Sequence, residues 1–278
     1  MGPNTSLILL KKRYILYHIF LIWISLFVIQ FEFWWYWNLF PSLPDYGSPR
    51  LIHFIVYLPL LVMLMYVSLV IVSLISAKIL LLIVNLLHKP REGIFVRHYK
   101  DKDYRFWCIR NTIKRFPIWL AHKFPFPFFD NICFMLFGVR TKYSNSLFEG
   151  YVDTEFINFG KDVVIGQSSI VQSAAIIGNL FIIRKTEIGD NVRIGVHSVI
   201  MPGTIIEKNT ILGASSLTTV GQILEEGWVY IGAPAKKFKK NVFMEEGIEN
   251  LIMEQTKDTE TLHKKYDELY TKREDKVA

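Results

Sequence analysis

Cysteine is scarce in these 278 residues: only Cys108 and Cys133 occur, 25 positions apart. That excludes a disulfide framework and a four-cysteine zinc site, and fits a reducing compartment. Charge is missing from two long stretches: no Asp, Glu, Lys or Arg lies in Tyr14–Phe31, or in Leu51–Ala77. Histidine is thinly spread, with seven in the chain. Zinc chemistry of the three-imidazole kind is therefore not expected, and no metal site is assigned. A half-apolar composition (51%) with 15% aromatics excludes a disordered chain.

What is present divides the chain. The mean hydropathy of +0.26 arises mainly in the first 90 residues. The uncharged runs of 18 and 27 residues are long enough to cross a bilayer core of about 30 Å. Between them stand Phe33, Trp34, Trp35, Tyr36 and Trp37, residues suited to a headgroup interface, and then Pro41, Pro44, Gly47 and Pro49, which favour a turn. Residues 1–90 are therefore expected to form a two-span transmembrane hairpin. Lys11, Lys12 and Arg13 before the first span, and Lys78, Lys89 and Arg91 after the second, predict both termini on the cytoplasmic side. Bulky and acidic residues after Phe31 argue against a cleaved signal peptide.

Residues 91–140 read as a basic, aromatic connector. Ten Lys and Arg lie between Lys89 and Lys123, opposed only by Glu92, Asp101 and Asp103. Next to a membrane hairpin, such a segment suits anionic lipid headgroups. No nucleic-acid-binding signature accompanies it, so nucleic acid is not an expected partner. The spacing of Phe106, Ile109, Ile113, Phe116 and Leu120 predicts a helix over Arg105–Ala121 lying on the bilayer surface and stopped by Pro125 and Pro127.

From about residue 153 a six-residue period appears. Large apolar residues fall at Phe159, Ile165, Val171 and Ile177, then at Ile188, Ile194, Ile200, Ile206 and Leu212. Short residues follow four positions later, at Ser169, Ala175, Val192, Ser198, Thr204, Thr210 and Ser216, and are expected at tight corners. One residue is missing between Ile177 and Ile188, which predicts a local adjustment of one coil. This period suits neither an α-helix nor a hairpin meander. It suits a three-sided solenoid in which residues 18 apart stack, Ile188 over Ile206 and Ile194 over Leu212. The expected fold is mainly β over residues 141–240, with a charged C-terminal helix over 241–278.

Four segments carry a resemblance: 188–195 (IGDNVRIG), 199–206 (VIMPGTII), 211–219 (ILGASSLTT) and 231–236 (IGAPAK). The pattern resembles the hexapeptide-repeat acyltransferases. Within them it is similar to a membrane-attached branch that includes the C-terminal region of polylysine-synthetase-type proteins, where a Thr-Glu (here Thr154-Glu155) and a Gln-Ser (here Gln172-Ser173) also occur. The resemblance implies a left-handed parallel β-helix, a homotrimer, and acetyl-CoA or another acyl-CoA held between adjacent β-helices. It places cofactor contacts at Gly213, Ala214, Ser215, Thr218 and Thr219, with Lys236 or Lys237 near the phosphates. Gly195, Gly203 and Gly213 are expected as corner glycines.

Acyl transfer needs a base, and His197 is the one histidine inside the repeat. It is the candidate base, with Glu155 or Asp153 as the orienting carboxylate from another coil or subunit. The expected function is a membrane-anchored acyltransferase acting on a lipid-linked or glycan acceptor. A non-catalytic trimeric scaffold of a membrane biosynthetic complex is the alternative. It is favoured because many family enzymes carry their histidine one coil earlier, near Ala174 here.

Overall fold

The computed structural model describes residues 14–39, 49–126, 128–147, 150–241 and 264. The turn around Pro41–Gly47, the cations before Tyr14 and the expected C-terminal helix lie outside them. Helix α1 (Ile15–Leu39) and helix α2 (Pro49–Leu87) pack on each other, and both are long and apolar enough to cross a membrane. α1 buries only Leu21, Ser25 and Tyr36, leaving Trp23, Phe27 and Trp34 on its outside. α2 runs past Lys78, which ends the uncharged run, and continues without interruption to Leu87. Its 39 residues extend for about 58 Å. The Lys78 ammonium is accommodated because it donates to the Leu136 carbonyl at 2.6 Å. That carbonyl belongs to the last turn of the helix Phe128–Phe137, where a helix dipole favours a cation.

After α2, strand β1 (Gly93–Val96) leads into α3 (Lys102–Ala121) and α4 (Phe128–Phe137). Asp101 caps α3, accepting from the Tyr104 amide at 3.0 Å. Arg91 grips Asp103 in the first turn through two bonds, of 2.7 and 2.5 Å, and so holds the Asp103 carboxyl below its usual range. The helix begins three residues before the expected start, carries Pro117 within it, and ends at Ala121 as expected. Its environment also differs from the expectation. Trp107, Arg110 and Lys114, on one face by their three- and four-residue spacing, are buried against protein. Two of the ten connector cations thus turn inward rather than toward headgroups.

The remaining strands are short: β2 (Tyr151–Val152), β3 (Ile157–Phe159), β4 (Val164–Ile165), β5 (Ile170–Val171), β6 (Ala174–Ile177), β7 (Leu180–Ile183), β8 (Thr186–Ile188), β9 (Arg193–Ile194), β10 (Val199–Ile200), β11 (Ile205–Ile206), β12 (Ile211–Leu212), β13 (Ile223–Leu224), β14 (Trp228–Ile231) and β15 (Lys236–Lys240). They rotate through three parallel faces. The first face is β3, β8, β11 and β13; the second is β4, β9, β12 and β14, closed by antiparallel β15; the third is β2, β5 and β10, extended by a bridge from Val199 to Leu217. Ile188 pairs with Ile206 and Ile194 with Leu212, as the period predicts. Earlier rungs begin at Arg140 and Ser146, so the first coil starts ahead of residue 153.

Two details of the repeat differ from the sequence reading. The short residues 192, 198, 204, 210 and 216 are interior, with at most 1% exposure, rather than at corners. Their hydroxyls bond backbone carbonyls inside the prism: Ser169 to Gly195, Ser198 to Gly213 and Thr210 to Glu225, at 2.7, 2.8 and 2.9 Å. Buried polar groups need such partners, and a methyl group in their place would leave a carbonyl stranded. The corner is the residue just before, which takes a left-handed conformation at 191, 197, 203, 209, 215, 221 and 227. Second, the irregularity near Ile177 is an excursion rather than a one-residue adjustment. After Val171 the chain leaves as the β6–β7 hairpin, which joins β1 in a separate antiparallel sheet. Val171 then pairs with Ile200, 29 residues on, whereas later rungs are 18 apart.

Only Gly203 of the three expected corner glycines has a positive φ, +79°. Gly195 is required for another reason: a Cβ there would lie 2.4 Å from the Ala214 nitrogen and 2.6 Å from the Gly213 carbonyl carbon of the next coil. Gly195→Ala should therefore force the Gly195 and Ala214 coils apart and destabilise the fold by about 1–3 kcal/mol. Thermal unfolding of the full chain in detergent measures this, and an unchanged midpoint would contradict the tight stacking.

Candidate functional site

The edge between the second and third faces brings together His197, Ala214 and Ser215 of the residues that the sequence singled out. His197 occupies a left-handed corner with φ 56°, its side chain exposed. Its amide donates to the Gln167 carbonyl at 3.0 Å, so the corner directly preceding it in the stack is Gln167–Ser168. Above it, Ser215 repeats the conformation (φ 54°) and its amide donates to the Val196 carbonyl at 2.8 Å. Ala214 and Ser215 are exposed beside His197. The Leu217 amide reaches the Gly232 carbonyl at 3.0 Å, which places the 232–235 segment above the same edge. No side-chain partner of His197 occurs among the described residues.

Several expected contacts lie elsewhere. Thr218 stacks over Ile200 and is 1% exposed, so it faces the prism interior rather than a cofactor. Its hydroxyl accepts from the Met201 amide and lies 2.9 Å from the Thr204 hydroxyl. Gly213 donates its amide to the Tyr230 carbonyl and accepts from Ser198, so both of its backbone groups are engaged internally. Thr219 is exposed, but its amide is held by the Gln222 side chain at 2.8 Å. Lys236 is exposed on β15. Lys237 pairs with Glu225 at 2.5 Å and lies over the Trp228 ring, near the edge between faces one and two. Ala174, taken as the position one coil before His197, belongs instead to the hairpin and is buried. The true neighbour in that direction is Ser168.

Glu155 and Asp153 follow the third face, on the opposite side from the His197 edge. Within the chain, neither orients His197. Glu155 accepts from Arg110 at 2.8 and 3.1 Å and from Lys114 at 2.8 Å. Burial alone would raise its carboxyl, but Lys114 and Arg110 outweigh burial and bring it down to about 2. Burial lowers the Lys114 ammonium, and Glu155 opposes that shift. Asp153 accepts from the Ser173 and Ala174 amides at 2.9 and 3.2 Å, holding the start of the hairpin. Burial raises it to about 6 despite those bonds. Sequence reasoning missed Arg110 and Lys114 as partners, although their four-residue spacing beside Trp107 was a signal of a shared face.

A cleft of about 520 Å³ adjoins this ion-pair cluster, between α2, α3 and the first coils. Its walls include Leu81 and Phe137 from the helices and Asn158 and Lys185 from the prism.

Comparison with known proteins adds to this geometry. Residues 185–219 match the family model described as bacterial transferase hexapeptide (six repeats). Over 106 residues the sequence is 33% identical to an uncharacterised protein of Dictyostelium discoideum. The match spans 38% of this chain and 38% of that relative's length. Among solved structures, the chain is similar to a maltose O-acetyltransferase from Clostridium difficile 630, at 17% identity and TM-score 0.36, over 46% of this chain and 83% of that one. It is similar to a galactoside acetyltransferase in complex with coenzyme A at 17% identity and TM-score 0.36, over 48% and 80% of the two chains. A Vibrio cholerae hexapeptide-repeat acetyltransferase complexed with acetyl coenzyme A gives 14% identity and TM-score 0.36, over 44% and 82%. The segment that matches the bacterial transferase hexapeptide model lies on the coils that pair Ile188 with Ile206 and Ile194 with Leu212.

Proposed function

We propose that this chain is a membrane-anchored, coenzyme-A-dependent acyltransferase, most simply an acetyltransferase, acting on a membrane-associated hydroxyl or amine. The observation that carries the reading is the coincidence of the hexapeptide match at 185–219 with the edge that exposes His197 below Ala214 and Ser215. A short-residue edge of this kind leaves room for an extended pantetheine, and a neutral imidazole beside it can accept the acceptor's proton. In this reading the coil is left-handed and three copies assemble, so that a neighbouring subunit completes the cleft and supplies the group that orients His197. Cofactor contacts are assigned to Ala214, Ser215 and Thr219, with Lys236 toward the phosphates. The two apolar helices hold the prism against the bilayer and confine its acceptors to that surface.

Coenzyme A binding to the detergent-purified full chain is the test. Ligand at about a hundred times its dissociation constant should add about 2.7 kcal/mol of stability and raise the unfolding midpoint. The solitary His197 favours a second reading, a trimeric scaffold without catalysis, and the absence of any coenzyme A shift would select it.

A further inference from the structure

The cleft between α2, α3 and the first coils is unusual in its charge. Lys78, Arg110, Lys114, Arg140 and Lys185 line it against only Glu92 and Glu155. Those two carboxylates are already engaged: Glu155 by Arg110 and Lys114, and Glu92 by the Lys185 amide at 2.8 Å. A third carboxylate, Glu187, pairs with the partly exposed Lys185 ammonium at the rim, so five cations still face three acids. Arg140 has no carboxylate partner among the described residues and is exposed. Such an excess of positive charge in a walled cleft focuses potential on whatever enters it. Two further features describe the ligand. The Asn85 side-chain oxygen is buried without a hydrogen-bond partner, so it can accept from a hydroxyl. One wall, Leu81 and Phe137, is apolar and belongs to the helix bundle, whose exposed side chains along α1 and α2 are mostly apolar.

From this juxtaposition we infer that the cleft is a binding site for the phosphate-bearing, hydroxylated headgroup of an anionic lipid. The phosphate sits among Lys78, Arg140 and Lys185, a headgroup hydroxyl donates to Asn85, and the glycerol and acyl chains run out along α2. Arg110 and Lys114 remain paired with Glu155 and set the floor. The site is distinct from the His197 edge, and it holds whether or not the chain transfers acyl groups. It rests on the membrane part of the function proposed above. Release of the full chain from membranes by alkaline carbonate would fail that part, independently of the lipid measurement.

The experiment titrates the delipidated full chain in detergent with short-chain phosphatidylglycerol, with phosphatidylcholine of equal chain length, and with inorganic phosphate. Phosphatidylglycerol should bind about tenfold or more tightly than phosphatidylcholine, and Arg140→Gln with Lys185→Gln should remove that preference. Both positions lie on the prism side, where the glutamines should be tolerated in the fold. Lys78→Gln, which keeps a donor for Leu136, should weaken the same binding. Equal affinity for the two lipids, or phosphatidylglycerol binding untouched by the double variant, would overturn the inference. So would inorganic phosphate that binds as tightly as the lipid, since the cleft would then be a site for a free anion.

Discussion

Glu155→Ala should destabilise the full chain by about 3–5 kcal/mol, the largest stability effect expected of any single substitution outside the apolar column. The carboxylate is the common acceptor of two cations that are themselves only 2% and 3% exposed. Removing it leaves Arg110 and Lys114 charged in a site with little water, and that uncompensated burial, more than the lost attraction, sets the cost. The discriminating control replaces all three groups by apolar residues of similar size, Glu155→Leu with Arg110→Met and Lys114→Met. The triple variant should recover most of the lost stability, because the chief penalty is a stranded charge. A triple variant as unstable as Glu155→Ala would mean that the cluster holds α3 on the prism by specific hydrogen bonding instead. Thermal unfolding in detergent distinguishes the two.

The same cluster predicts a pH dependence with two limbs of opposite sign. Glu155 titrates near 2 in the folded chain rather than at 4.5, so its stabilisation is complete above 4.5 and disappears as pH falls toward 2. Asp153 shifts the other way, from 3.8 to about 6. The folded chain therefore binds its proton more tightly than the unfolded chain does, and the stabilisation from that proton is full below 3.8 and lost as pH rises through about 6. Acidification from neutral pH should thus first stabilise the chain and then destabilise it. Asp153→Asn, which keeps an acceptor for the Ser173 and Ala174 amides, should abolish the first limb and leave the second. A monotonic loss of stability from neutral pH downward in the unsubstituted chain would contradict the burial of Asp153.

The solenoid columns could be read from the sequence because one offset governs every interior position. The same offset, carried one step past Leu212, lands on Thr218 and identifies it as interior before any cofactor role is considered. It also separates corner from wall: a short residue with a buried hydroxyl fits inside, whereas the left-handed corner is marked by Asn191, Gly203, Asn209, Gly221 and Gly227, residues tolerant of positive φ. The hairpin was harder to see. Ala174, Ile176, Phe181 and Ile183 are as apolar as the coils they interrupt, and only the pairing of β7 with β1, 84 to 90 residues earlier, shows that they leave the prism. Composition misjudged α3 for a related reason. Ten cations beside a membrane helix describe an interfacial segment on average, but which of them face lipid depends on an acid contributed from 41 to 45 residues away. Long-range pairing of that kind leaves no local period.

His197→Ala should reduce acyl transfer by about a hundredfold or more while leaving coenzyme A binding within about twofold, if the imidazole takes the acceptor's proton. Its corner position makes this a clean test of chemistry. The side chain is exposed, has no hydrogen bond among the described residues, and sits at a φ of 56° that alanine tolerates poorly, so His197→Asn is the better-matched variant for stability. Both should fold, since the buried neighbours Ser198 and Ile194 are untouched. The second readout separates kcat from KM: loss of a proton acceptor should lower kcat in both variants while KM for the acyl donor stays unchanged. A raised KM with kcat retained would make His197 a positioning residue on the cleft wall. Turnover equal to that of the unsubstituted chain would remove it from the mechanism and transfer the search for a base to whatever residues a neighbouring subunit brings to this edge.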